Sequence, residues 1–165
     1  MWLPVAVGVL CLATACASDS GDAQRNAASG APASGAVGFT TNPVDARMVN
    51  KTGSELLLEC KRPEEDHVVA DGQSVEVTGH EGWTSSDSDV WCVVTVRGGT
   101  MGEASFDAQI KNPTIGQPEV TIDTDSHDFG EGDTWTSNYN FVHVDVERLV
   151  DTSNDHKSFV LTFRL

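Results

Sequence analysis

Over three stretches of the chain, apolar side chains fall on every second position. Phe106, Ala108 and Ile110 alternate with Ser105, Asp107, Gln109 and Lys111, and Val142, Val144 and Val146 alternate with His143, Asp145 and Glu147. Phe159, Leu161, Phe163 and Leu165 alternate with Ser158, Val160, Thr162 and Arg164. A period of two gives a strand one face for the core and one for solvent. Shorter candidates are Leu56 to Cys60, Val75 to Thr78, Val90 to Arg97 and Pro118 to Asp123, punctuated by Asn50-Lys51-Thr52-Gly53, Asp71-Gly72, Gly98-Gly99 and Asp151 to Asp155. No stretch keeps a helical period for three turns. About seven to nine short strands at this spacing predict an all-β domain over residues 37–165, a single antiparallel β-sandwich, with a small β-barrel as the alternative.

Charge narrows the partners. With 10 Lys plus Arg against 25 Asp plus Glu, the formal net charge is −15. Affinity for nucleic acid or anionic headgroups rests on basic side chains that neutralise phosphates, so neither is an expected partner. The field favours basic partners or cations.

Residues Trp2 to Ala15 carry no charge and are mostly apolar, the length of a signal-peptide core and too short to span a bilayer. The core ends in Leu12-Ala13-Thr14-Ala15-Cys16. Small residues at 13 and 15 suit a signal peptidase, and a thiol follows the cut. This segment resembles the lipobox of bacterial lipoproteins, although Ala13 replaces the usual Leu and no Lys or Arg precedes the core. The resemblance implies a signal peptide over 1–15 and Cys16 as the acylated first mature residue. An ordinary secretory site with an unmodified Cys16 is the alternative, and it makes the protein freely secreted.

From Ala17 to Ala36, 14 of 20 residues are Ala, Ser or Gly, and no aliphatic side chain is larger than Ala. Such a segment cannot bury a core. Together with Cys16 it reads as a flexible tether over 16–36, about 25 Å from end to end by coil scaling.

Cys11 leaves with the signal and Cys16 takes the lipid, so Cys60 and Cys92 remain as a pair. Each is in phase with apolar neighbours (Leu56 and Leu58; Val90, Val94 and Val96) and should point inward. In an oxidising compartment they are expected to form a disulfide closing a loop of about 30 residues, worth about 3 to 4 kcal/mol.

Between Lys111 and Arg148 there is no Lys or Arg, while carboxylates accumulate. Asp123, Asp125, Asp128 and Glu131 offer oxygens along a turn and form a candidate Ca²⁺ site, because a hard cation wants converging carboxylates. Their spacing departs from the EF-hand: His127 stands at the third ligand position and Thr134 where the bidentate Glu belongs. A solvated acidic loop is the competing reading. The five His residues lack paired ligand spacing, and no other cofactor is expected. Nucleophile-elbow, zinc-protease and P-loop motifs are missing, so a hydrolase would need a site that only the fold assembles.

Trp83, Trp135 and Tyr139 are candidate ligand-contact aromatics, since flat rings stack on ligands and settle at interfaces. Trp83 and Trp135 stand in loop-like contexts. Trp91, beside Cys92 in a strand, is expected in the core.

Met48-Val49-Asn50-Lys51-Thr52-Gly53, Asp71-Gly72-Gln73-Ser74-Val75 and Gly102-Glu103-Ala104-Ser105-Phe106-Asp107, leading to Asn112-Pro113-Thr114-Ile115-Gly116, give residues 48–122 an outline. It resembles small β-sandwich proteins of the aegerolysin type, which bind membrane lipids. The resemblance implies the fold; no lipid-contact residue carries over. Asn50-Lys51-Thr52 is also an N-glycosylation triplet, read here as turn chemistry. The resulting expectation is a lipid-anchored, non-enzymatic module of the bacterial cell envelope, on the outer face of the plasma membrane, that binds a protein or small ligand. A lipid-binding or membrane-perturbing protein and a hydrolase are the alternatives.

Overall fold

The computed structural model describes residues 43–80, 87–151 and 156–165, all within the compact unit Gly38–Leu165. Eleven strands follow in order: β1 (Val44–Lys51), β2 (Leu56–Arg62), β3 (Glu64–Val69), β4 (Ser74–Gly79), β5 (Ser88–Arg97), β6 (Glu103–Asn112), β7 (Glu119–Ile122), β8 (Asp125–Asp128), β9 (Thr134–Tyr139), β10 (Val142–Arg148) and β11 (Lys157–Arg164). They form a five-stranded sheet, β4-β1-β11-β10-β9, and a six-stranded sheet, β3-β2-β5-β6-β7-β8. Among the described residues the two sheets share no strand pairing, so the architecture is a sandwich and not a closed barrel. The sheets are not wholly antiparallel, because β1 runs parallel to β11 in register from Val44↔Lys157 to Lys51↔Arg164.

The strand count exceeds the sequence expectation at the edges. β3 (Glu-Glu-Asp-His-Val-Val) and β8 (Asp-Ser-His-Asp) are edge strands that pair on one side only. Charged residues are common on edges because they discourage further pairing, and they also erase the apolar alternation that reveals a strand.

Alternation builds the core. Val44, Ala46 and Met48 of β1, Phe159, Leu161 and Phe163 of β11 and Val142, Val144 and Val146 of β10 are buried against Leu56, Leu58, Val90, Val94, Phe106 and Ile110 of the other sheet. Phe129 packs edge-on to Phe159 with ring centres 5.6 Å apart. Cys60 and Cys92 are bonded to each other. They stand directly opposite on β2 and β5, both buried on the inner face, as their phase predicts. Gly79 lets the sheets approach at one end: a Cβ there would lie 2.2 Å from the Asp89 carbonyl oxygen.

Asn50 shows why its triplet is turn chemistry. The side chain is fully buried. Its amide donates to the carbonyls of Ser54 and Val69, both at 2.7 Å, while its oxygen accepts from the Thr52 backbone N–H (3.0 Å) and hydroxyl (2.8 Å). Both amide hydrogens are used, and a buried amide is tolerated on that condition.

Candidate binding face on the six-stranded sheet

A sandwich in which each strand gives one face to the core has two outer faces, and here they differ in chemistry. On the five-stranded sheet, register places Ser74, Val49, Thr162, Asp145 and Thr136 in one row and Glu76, Arg47, Val160, Glu147 and Thr134 in the next. Polar groups in these rows bond to one another. Arg164 makes two hydrogen bonds to Asp145, at 2.6 and 3.0 Å, and the Thr136 hydroxyl adds a third at 2.8 Å. Hydrogen bonding from Arg164 holds the Asp145 carboxyl below its usual range, with Thr136 assisting against the opposing effect of partial burial. Arg47 donates to the Ser74 hydroxyl, and His143 meets Asn138. Two depressions open on this face, about 400 Å³ beside Arg47 and Glu76 and about 240 Å³ beside Thr136 and Asp145. Asp45 bridges the Thr78 hydroxyl (2.7 Å) and His156 (2.8 Å). That order leaves the imidazole off the hydroxyl, unlike a nucleophile activated by its base.

On the six-stranded sheet the outward positions of the three strands nearest the β3 edge carry Val68, Leu57, Val93 and Trp91. Leu57 stands directly opposite Val68 across β2–β3 and diagonal to Val93 on β5, and Trp91 follows Val93 two residues along. Directly opposed side chains on one face lie about 5 Å apart at Cβ, and diagonal ones about 7 Å, so the four form one stripe. Val68 is 66% exposed, and the other three are half-buried. Of the other exposed large apolar residues, Ile115 and Met101 lie singly in connections, Leu149 and Val150 adjoin each other after β10, and Leu165 follows β11; exposed apolar residues are ordinary on a surface.

Carboxylates border the stripe. Asp66 and Glu59 stand directly opposite each other on β3 and β2, and Asp107 stands opposite Val93 on β6. Asp107 accepts from the Trp91 indole N–H at 3.0 Å. The outer face has other paired groups, Arg62 with Asp89 (2.9 Å) and Arg97 with Glu103 (3.4 Å). Neither Asp66 nor Glu59 forms an ion pair among the described residues. Like charges directly opposed in a sheet are unfavourable. Beside them a depression of about 270 Å³ is lined by Cys60, Lys61, Glu64, Glu65 and Asp66.

Trp91 corrects the sequence expectation. It lies on the outer face, not in the core, because Val90 and Cys92 already take the inner positions and period two sends the residue between them outward. Trp135, expected in a loop-like context, and Tyr139 lie in β9 and pack half-buried against the core. The Trp135 ring stacks on His127 at 5.6 Å, and Tyr139 lies 4.9 Å from Phe106. Trp83 and Cys16 lie outside the described residues.

The acidic candidates fold as a hairpin and its exit. Asp123 occupies the β7–β8 turn with φ of 54°. Asp125 accepts from the Ser137 hydroxyl at 3.2 Å, and Asp128 stands opposite Glu119. Glu131 accepts the Asp151 backbone N–H at 3.0 Å. Alternation sends Asp125 and Asp128 to opposite sides of β8. No group of three or more metal-capable side chains is gathered among the described residues. Nearby, the Asp151 side chain is buried with Arg148 (3.0 Å) and Lys157 (3.1 Å) on one carboxylate oxygen.

No helix among the described residues is long and apolar enough to cross a membrane. Compared with protein-family models, curated proteins and solved structures, the chain gives no match.

Proposed function

We propose that this protein is a binding module of the bacterial cell envelope, exported by residues 1–15, anchored through acylated Cys16 and carried on the tether of residues 16–36. Its recognition surface is the outer face of the six-stranded sheet. The observation that carries this reading is the contiguous stripe Val68, Leu57, Val93 and Trp91 on a face turned to solvent. Contiguous exposed apolar surface rimmed by polar groups is the usual mark of an interaction site.

Two measurements test the reading. The intact mass of the mature protein from its host is expected to begin at Cys16 with acyl chains; an unmodified chain would make it a free secreted protein. Photo-crosslinking residues placed in intact cells at positions 57 and 68, and separately at 49 and 162 on the five-stranded face, are expected to label an envelope component from the first pair only. Equal labelling from both faces, or none, would remove the six-stranded face as the recognition surface.

A further inference from the structure

The apolar stripe indicates that something docks there, and the groups around it indicate what. We infer that the occupant is a cationic amphipathic polypeptide segment, a partner surface presenting Lys or Arg among aliphatic side chains; this rests on the binding reading of the six-stranded face. Asp66 and Glu59 are directly opposed and neither forms an ion pair among the described residues, although Lys61 stands two residues from Glu59 on the same side of β2; opposed like charges cost stability in the free protein, and an incoming ammonium or guanidinium group relieves that cost. A basic side chain suits this border in two ways. Its methylene stem lies along Leu57 and Val68, and its charged head reaches Glu59 and Asp66. The depression of about 270 Å³ beside Asp66 has Lys61 in its wall as well as Glu64 and Glu65, and Glu65 lies 3.3 Å from His67, so the cation is placed at Glu59 and Asp66 and not in the depression.

Charge also decides against the competing occupants. Residues 37–165 carry 9 basic and 23 acidic side chains, a net of 9 − 23 = −14, which repels anionic lipid. A second copy of this chain would bring its own Asp66 and Glu59 against the first, adding like charges where two already face each other. A basic segment is drawn in by the field of the whole domain before it touches the stripe.

The test uses the full mature chain and three synthetic probes of equal length: an alternating Lys-Leu peptide, a Glu-Leu peptide and a Lys-Ser peptide. The Lys-Leu peptide is expected to shift the amide resonances of residues 57, 68, 91 and 93 and to change Trp91 fluorescence. The Glu-Leu and Lys-Ser peptides are expected to bind at least about tenfold more weakly, since each lacks one of the two elements. Glu59→Gln combined with Asp66→Asn is expected to weaken Lys-Leu binding about tenfold and to flatten its salt dependence, with the thermal midpoint unchanged or raised. Equal binding of Glu-Leu and Lys-Leu, shifts spread evenly over both outer faces, or an unaffected double variant would each overturn the cationic partner. Vesicles of neutral phosphatidylcholine that shift these residues when the Lys-Leu peptide does not would assign the face to lipid instead. Crosslinks confined to positions 57 and 68, with the double variant inert, would retain the binding face and reject only its cationic occupant.

Discussion

The two outer faces span five and six strands of the same sandwich, yet one is closed on itself and the other is open. Across the five-stranded face Arg164, Asp145 and Thr136 link three adjacent strands, and Thr78, Asp45 and His156 tie its opposite end. Half-buried Val49 and Val160, diagonal neighbours across β1–β11, lie within this polar network. On the six-stranded face Val68, Leu57, Val93 and Trp91 adjoin along a diagonal across three strands; of the carboxylates beside them Asp107 is bonded to Trp91, while Asp66 and Glu59 face each other. Cross-strand pairs on an outer face also add to folding, so the two faces differ in how their side chains are partnered. The polar groups of the five-stranded face satisfy one another, whereas Asp66 and Glu59 have no ion-pair partner among the described residues.

The largest perturbation lies beneath the open face. Replacing Cys60 and Cys92 by Ser removes a bridge across a sequence separation of 32 residues and is expected to cost about 3 to 4 kcal/mol in urea unfolding. Hydrogen exchange should accelerate in β2, β3 and β5 before β10 and β11. Uniform acceleration would mean that the two faces belong to one cooperative unit. Next is Gly79→Ala, whose Cβ would collide with the Asp89 backbone where the sheets meet; a loss of about 1 to 3 kcal/mol in thermal unfolding is expected for overpacking.

A smaller effect separates the faces by function. Val68→Thr on the open face should change stability by less than about 0.5 kcal/mol while weakening capture by that face in the crosslinking assay. A marked destabilisation would show that Val68 is held in place for folding and would erase the contrast.

The smallest effect is read against pH on the closed face. Asp145 has a lowered pKa in the folded protein, first through its hydrogen bonds from Arg164, so its contribution is present above the ordinary carboxylate value of 3.8 and fades as pH falls through the folded value. Asp145→Asn should therefore be slightly less stable than the parent at neutral pH, with the gap closing in acid. A gap that widens as pH falls would contradict the pairing.

The sandwich was legible in the sequence because its central strands each have one buried face; β5, β6, β10 and β11 alternate without a break. The cysteine pair was legible for the same reason, through phase with Leu58 and Val94. Trp91 was misassigned although the same rule placed it: once Val90 and Cys92 point inward, the residue between them points out, and ring size does not override the pleat. β3 and β8 were hidden by their carboxylates. The proposed binding face is not readable in the sequence, since Leu57, Val68 and Val93 become neighbours only through the β2–β3 and β2–β5 registers. Hydrophobic pattern specifies which way a side chain points, but not which distant strand lies beside it.

The parallel pairing of β1 with β11 has a mechanical consequence. Because the two strands run the same way from Val44↔Lys157 to Lys51↔Arg164, a pull on Pro43 against Leu165 acts along both strands in opposite senses. Such a load shears the whole ladder at once, where a hairpin pulled from its open end would unzip one rung at a time. Strands rise about 3.3 Å per residue, so the two points of attack stand at opposite ends of a ladder about 23 Å long. A domain loaded this way yields only when the ladder slips as a unit.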